Sequence, residues 1–173
     1  MLNSEPARHQ SRQKRKVLFV CSANRCRSPL AMALFEALTQ RKGVEHLFQV
    51  DSAGVWAYDG EPATSKAIQV LKETTGSSSL LERHRSKALT VPLLEEATEV
   101  LVMESKHREA ILEHFDDKVP GLASKVHRLA DFSGGAGDIR DPVLEDTIEE
   151  YRVCAKELDE WLPPAFHRLL GDE

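Results

Sequence analysis

Several scarcities narrow what this 173-residue chain can be. Cysteine occurs three times, at Cys21, Cys26 and Cys154, which is too few and an odd number for a disulfide-stapled secreted domain. A reducing, cytoplasmic compartment is expected. No apolar run approaches the roughly 18 residues of a membrane helix, and the N-terminus lacks the apolar stretch of a secretory signal, so no membrane partner is expected. Paired histidines and matched cysteine pairs that could hold zinc are missing, as is a G-x4-G-K-[ST] loop for a nucleotide. Neither a metal nor a cofactor is therefore implied. Positive charge is also in short supply: 23 Lys and Arg face 28 Asp and Glu, for a formal charge of −5. Residues 1–16 hold five of the basic side chains and one acidic one, leaving 18 basic against 27 acidic over the rest. An acidic body does not suit nucleic acid, whose phosphates need clustered Lys and Arg.

What is present reads as one globular domain, with 41% hydrophobic and 29% charged residues. Residues 1–15 read as a disordered basic tail and 16–173 as the folded unit. Lys16–Ser22 is an apolar run without polar alternation, as in a central parallel strand covered on both faces. Ser28-Pro29 then offers an N-cap hydroxyl and a first-turn proline, and Leu30, Ala33, Leu34, Ala37 and Leu38 repeat at helical spacing until Gly43. Further strands are expected at Phe48–Ser52, Glu99–Met103 and Val126–Leu129. Helices are expected from Ala63 to near Gly76, over Ser105–His114, and from Ile148 to Leu162, where Pro163-Pro164 should stop or kink the last one. The glycine-rich Gly134–Gly137 reads as a flexible approach to the segment after it. Alternation of this kind predicts an α/β fold: a four-stranded parallel sheet with helices on both faces, joined by right-handed crossovers, and an anion-binding loop after the first strand.

That loop, Cys21-Ser22-Ala23-Asn24-Arg25-Cys26-Arg27-Ser28, sits where open α/β sheets bind ligands, at the carboxyl end of a strand and the N-terminus of a helix. A curled loop can aim successive main-chain N–H groups inward as a nest for a tetrahedral anion such as phosphate, which makes Ser22, Ala23, Asn24, Arg25, Cys26 and Arg27 the candidate phosphate-binding residues. Arg27 can clamp two phosphate oxygens at once. Cys21 lies beneath the anion, and a thiol between a helix N-terminus and a guanidinium is favoured as its nucleophilic thiolate. A leaving oxygen also needs a proton, for which Asp141 in Asp138-Ile139-Arg140-Asp141-Pro142 is the candidate and Asp138 its competitor.

These residues resemble the low-molecular-weight protein tyrosine phosphatases, in the bacterial branch that includes protein arginine phosphatases. The resemblance runs through VLFVCSANRCRSP at Val17–Pro29, DSAGV at Asp51–Val55 and the Asp141-Pro142 pair. It implies hydrolysis of a phosphorylated protein through a phosphocysteine intermediate without metal, with Cys21 as nucleophile, Arg27 as phosphate clamp and Asp141 as general acid, then base. It also implies that Asn24 holds the shape of the cradle, that Ser28 stabilises the thiolate, that His84 braces Asn24, and that Cys26 can form a protective disulfide with Cys21.

Substrate choice is less clear-cut in the sequence. Tyrosine-specific relatives follow Asp-Pro with tyrosine, where this chain has Val143 and Leu144. Trp56 and Tyr58 are the candidates for a substrate wall. Arg25 stands where arginine-specific relatives place threonine and tyrosine-specific ones an aliphatic residue, and its charge should repel a guanidinium more than a phenol. Phosphotyrosine is thus preferred, with phosphoarginine as the alternative. Arsenate reduction fits less well, because only Cys154 lies outside the loop to serve a relay. A non-catalytic phosphate-binding module would require neither Cys21 nor Asp141.

Overall fold

In the computed structural model, which describes residues 13–171, four parallel strands form one sheet in the order β2-β1-β3-β4. They are β1 (Arg15–Cys21), β2 (Phe48–Gly54), β3 (Glu99–Val102) and β4 (Val126–Arg128). The central strand pairs Cys21 with Gly54 on one side and Val20 with Val102 on the other, so the ends of three strands converge beside Cys21. Its side chains alternate between two cores. Val17, Phe19 and Cys21 face one apolar cluster, whereas Leu18 and Val20 face the other. Both faces are therefore covered, which explains why the strand reads as an unbroken apolar run.

The first cluster packs β1 against α1 (Arg27–Arg41), α2 (Ser65–Thr75) and α7 (Ile148–Leu170). Phe35 lies at its heart, with ring centroids 5.7 Å from Phe19, 5.3 Å from Phe48 and 6.2 Å from Phe166. On the other face, α4 (Val91–Glu96) contributes Leu94 and α5 (Ser105–Phe115) contributes Ile111. Two single-turn helices, α3 (Ser79–Glu82) and α6 (Leu129–Phe132), complete the shell. Among the described residues no helix is long and apolar enough to cross a membrane.

The structure adds α3, α4 and α6 to the expected elements and departs from them in four further places. β1 opens at Arg15, inside the expected tail; residues 1–12 of that tail lie outside the described residues. α1 starts at Arg27 with Cys26 as its N-cap, so the Ser28 hydroxyl is released from capping and serves the loop instead. Pro163 and Pro164 do not end α7, which continues to Leu170 and stops at left-handed Gly171 (φ 82°). The helix persists because Ala165, Phe166 and Leu169 are buried, and the Ser133 hydroxyl ties it to α6 by donating to the Trp161 carbonyl at 2.7 Å. The Gly134–Gly137 stretch is a held turn at its start: Gly134 has φ 85°, and a Cβ on Gly135 would lie 2.2 Å from the Trp161 ring.

Candidate active site

The loop between β1 and α1 is held from beneath by side chains that leave its main-chain N–H groups free. Asn24 takes the left-handed conformation (φ 56°) that lets the chain curl. It is fully buried, and its side-chain amide and main-chain carbonyl are all engaged. Its Nδ2 donates to Ser28 Oγ and to Ser52 Oγ, each at 2.9 Å, while its Oδ1 accepts from the Lys87 main-chain N–H at 3.0 Å. Its carbonyl faces His84 Nε2 at 2.7 Å. Burial pushes the His84 imidazole below its usual range, which keeps it neutral and able to donate from that nitrogen. Among the described residues no carbonyl or side chain accepts from the N–H groups of Ser22 to Cys26. The result is a rigid bowl of donors.

The DSAGV segment supplies the floor. Asp51 pairs with Lys87 at 2.6 Å, Ser52 receives Asn24, and the Ala53 carbonyl accepts from Ser28 Oγ at 3.3 Å. Gly54 has to be glycine, because a Cβ there would sit 2.6 Å from the Ser22 carbonyl oxygen and 2.9 Å from the Asn24 nitrogen. The motif is thus a sequence of contacts to the loop, residue by residue.

Cys21 is buried at the base, with its Sγ 3.0 Å from Ser28 Oγ. Since Asn24 already donates into that hydroxyl, its one hydrogen is shared between the Ala53 carbonyl at 3.3 Å and Cys21 Sγ at 3.0 Å, and a thiolate would be the stronger acceptor of the two. Arg27 is 1% exposed and spans the site. Its Nη1 donates to the Ile139 carbonyl at 2.8 Å and pairs with Glu104 at 2.8 Å; its Nη2 lies 3.3 Å from Asp141 Oδ2 and 3.4 Å from Ser22 Oγ. Arg27 therefore touches Asp141 directly and lies near enough to Cys21 for their charges to interact. Asp138 is engaged elsewhere: its Oδ1 accepts from the Ser105 N–H and pairs with Arg128, each at 2.9 Å, tying the 134–141 segment to α5.

Two residues that composition and spacing did not single out complete the site. Glu104 and His107 cap α5 reciprocally, and the Glu104 N–H donates to His107 Nδ1 at 3.0 Å. That fixes the tautomer, so Nε2 carries the hydrogen and donates to Ser22 Oγ at 2.8 Å. Burial first, then the neighbouring Arg27 charge, push the His107 imidazole down to about 4. Burial would raise Glu104, yet its hydrogen bond and charge pairing with Arg27 hold its carboxyl below the usual range. The available signal was position: Glu104 and His107 stand three apart immediately after a strand whose carboxyl end reaches the loop.

The His107 shift has a measurable consequence. Unfolded histidine binds a proton near pH 6.5 whereas folded His107 does not until about 4, so it lends stability above pH 6.5 that is lost as pH falls towards 4. Wild type should thus lose more stability between pH 7 and pH 4.5 than His107→Gln, by up to about 3 kcal/mol. Urea unfolding midpoints at the two pH values measure this, and equal losses in both proteins would contradict it.

At the rim, the Trp56 N–H donates to the Ser22 carbonyl at 2.9 Å and its ring lies 5.9 Å from that of His107. Trp56 is 54% exposed; Tyr58, on the same segment, is 78% exposed. Arg25 turns away from the bowl, donating from Nε to the Pro62 carbonyl at 2.9 Å and lying 3.7 Å from Glu61. Cys26 is buried, and its neighbour Cys154 of α7 together with burial pushes its thiol well up. Among the described residues no cluster of His, Cys, Asp and Glu suited to a metal ion occurs.

Residues 16–172 match the family model described as low molecular weight phosphotyrosine protein phosphatase. A protein-arginine-phosphatase of Geobacillus stearothermophilus is 42% identical over 145 residues, spanning 83% of this chain and 88% of that protein. Among solved structures, the low molecular weight protein tyrosine phosphatase of T. tengcongensis superposes with a TM-score of 0.80 at 34% identity, covering 90% of this chain and 99% of that one. The YwlE arginine phosphatase, solved as a mutant with a phosphorylated active-site serine, gives 0.80 at 33% identity, covering 91% and 97%.

Proposed function

Because this chain belongs to the low molecular weight phosphotyrosine protein phosphatase family of phosphoric monoester hydrolases, we propose that its bowl performs hydrolysis through a phosphocysteine on Cys21. The observation that carries this reading is the convergence of Cys21, Arg27 and Asp141 beneath and beside a ring of free N–H groups. Phosphoryl transfer asks mainly for positioning and charge stabilisation. The loop N–H groups and Arg27 would grip the phosphoryl oxygens, leaving the phosphorus facing the Cys21 sulfur. The sulfur forms the new bond as the leaving oxygen departs with a proton from Asp141. An anion in the bowl would compete with Asp141 for Arg27 Nη2, which frees that carboxyl to turn towards the leaving oxygen. Water then attacks the phosphocysteine, Asp141 takes its proton, and phosphate leaves from a regenerated thiolate.

Phosphotyrosine is the first reading of the substrate. Glu104 and Asp141 are already paired with Arg27, and Glu61 with Arg25, so the rim offers a leaving group mainly the apolar surface of Trp56 and Val143. Phosphoarginine is a second reading that two observations favour. The charge of Arg25 is turned onto Glu61 and the Pro62 carbonyl, which weakens its repulsion of a guanidinium, and the 42% identical relative is named for arginine.

Matched phosphotyrosine and phosphoarginine peptides test both readings in one assay. The first expects a kcat/KM at least roughly tenfold higher for phosphotyrosine, worth about 1.4 kcal/mol. The reverse ratio replaces it with the second, and failure on both peptides and on para-nitrophenyl phosphate ends the catalytic reading. Asp141→Asn should slow poor leaving groups by roughly 10²–10⁴ and good ones much less. Equal slowing of every ester would assign the proton to another group.

A further inference from the structure

Hydrolysis uses one of the three thiols, yet all three lie in one buried cluster. Cys26, as the N-cap of α1, turns its side chain into the core, and Cys154 comes to it from the inner face of α7 beside Tyr151, Ala155 and Leu158. The two are 5% and 2% exposed in the same apolar cluster, and Cys154 is the neighbour that acts most strongly on the Cys26 thiol. Cys26 thus has two sulfur neighbours: Cys21 along the loop and Cys154 across the core.

We propose that Cys26 and Cys154 form a disulfide that removes the oxidation of Cys21 by hydrogen peroxide and returns Cys21 to the thiolate. This inference rests on the nucleophile reading above. Peroxide breaks its O–O bond on the Cys21 thiolate, giving a sulfenic acid and hydroxide. The Cys26 sulfur attacks the Cys21 sulfur, the S–O bond breaks, and water leaves with the Cys26 proton. The Cys154 sulfur then attacks Cys26, the Cys21–Cys26 bond breaks, and Cys21 departs as thiolate while the Cys154 proton neutralises the hydroxide. Two thiols and one peroxide become one disulfide and two waters.

The direction of the last exchange follows from the surroundings. Exchange proceeds towards the thiolate that its environment stabilises best. Cys21 has the Ser28 hydroxyl 3.0 Å away to receive negative charge. Cys26 and Cys154 lie among apolar side chains, where a neutral disulfide is cheaper than either thiolate. The Cys154 neighbour and the burial that push the Cys26 thiol up also keep it quiet towards solvent oxidants until Cys21 presents an electrophilic sulfur.

The test begins with reduced wild type and reduced Cys154→Ala, both of which should hydrolyse para-nitrophenyl phosphate at similar rates. Each is pulsed with hydrogen peroxide, quenched with catalase and assayed without reductant. Wild type should recover most of its activity, whereas Cys154→Ala stays inhibited until dithiothreitol is added. Non-reducing peptide mapping of oxidised wild type should show Cys26 joined to Cys154, a result that does not depend on how well the variant folds. Finding only a Cys21–Cys26 bridge, or Cys21 as its sulfinic or sulfonic acid, overturns the proposal. Lack of turnover in the reduced wild type would instead remove the nucleophile reading on which it rests.

Discussion

Cys21→Ser should remain folded, keep its affinity for phosphate within a few-fold, and lose turnover by roughly 10⁴-fold or more. The exchange is nearly isosteric in a buried position whose polar neighbour is the Ser28 hydroxyl, and the cradle itself is built by Asn24, Ser52, His84 and Lys87, none of which contacts the sulfur through a bond that serine would break. A hydroxyl is far less acidic than a thiol, so neither Ser28 nor the helix terminus can supply the nucleophilic anion. Thermal shift with added phosphate reports the bowl, and para-nitrophenyl phosphate reports the chemistry. Turnover within about 100-fold of wild type would assign attack to another group.

Arg27→Lys should cost roughly 10²–10³ in kcat, the size expected for removing a preorganised donor from a charged transition state. Lysine keeps the charge but has no planar fork, and it cannot reach Glu104, the Ile139 carbonyl, Ser22 and Asp141 together as the guanidinium does at 2.8–3.4 Å. Arg27→Met goes further by leaving Glu104, whose side chain is 16% exposed, with only the exposed Lys106 ammonium at 3.3 Å to balance it. That should lower stability by about 1–3 kcal/mol. Denaturant midpoints and steady-state rates on the two variants separate the contributions: Lys should lose chiefly rate, and Met both. Unchanged kcat in Arg27→Lys would show that point charge suffices and that the fork geometry is incidental.

The opening unit was legible because local and global signals agree there. An apolar strand buried on both faces, a loop carrying Cys21 and Arg27, and Ser28-Pro29 leading a helix all occur within contiguous sequence, so short-range rules reach them. The detail that failed, Ser28 as N-cap, failed at the site itself: its hydroxyl serves Cys21, and Cys26 takes the cap position. Glu104 and His107 were not legible as site residues because their role depends on β3 ending beside β1, a neighbour relation that no local spacing states. The nearness of Cys154 on α7 to Cys26 at the start of α1 was illegible for the same reason. The proline pair misled because breaker chemistry is local, whereas Phe166 and Leu169 continue the helix through burial in the core.

The most direct test of the account is a rapid acid quench of Asp141→Asn mixed with excess para-nitrophenyl phosphate, followed by mass spectrometry of the peptide that holds Cys21. Phosphate is expected on the Cys21 sulfur during turnover, absent when Cys21 is replaced by alanine and decaying as phosphate is released. Steady hydrolysis with no phosphoryl group on that peptide at any quench time would contradict it.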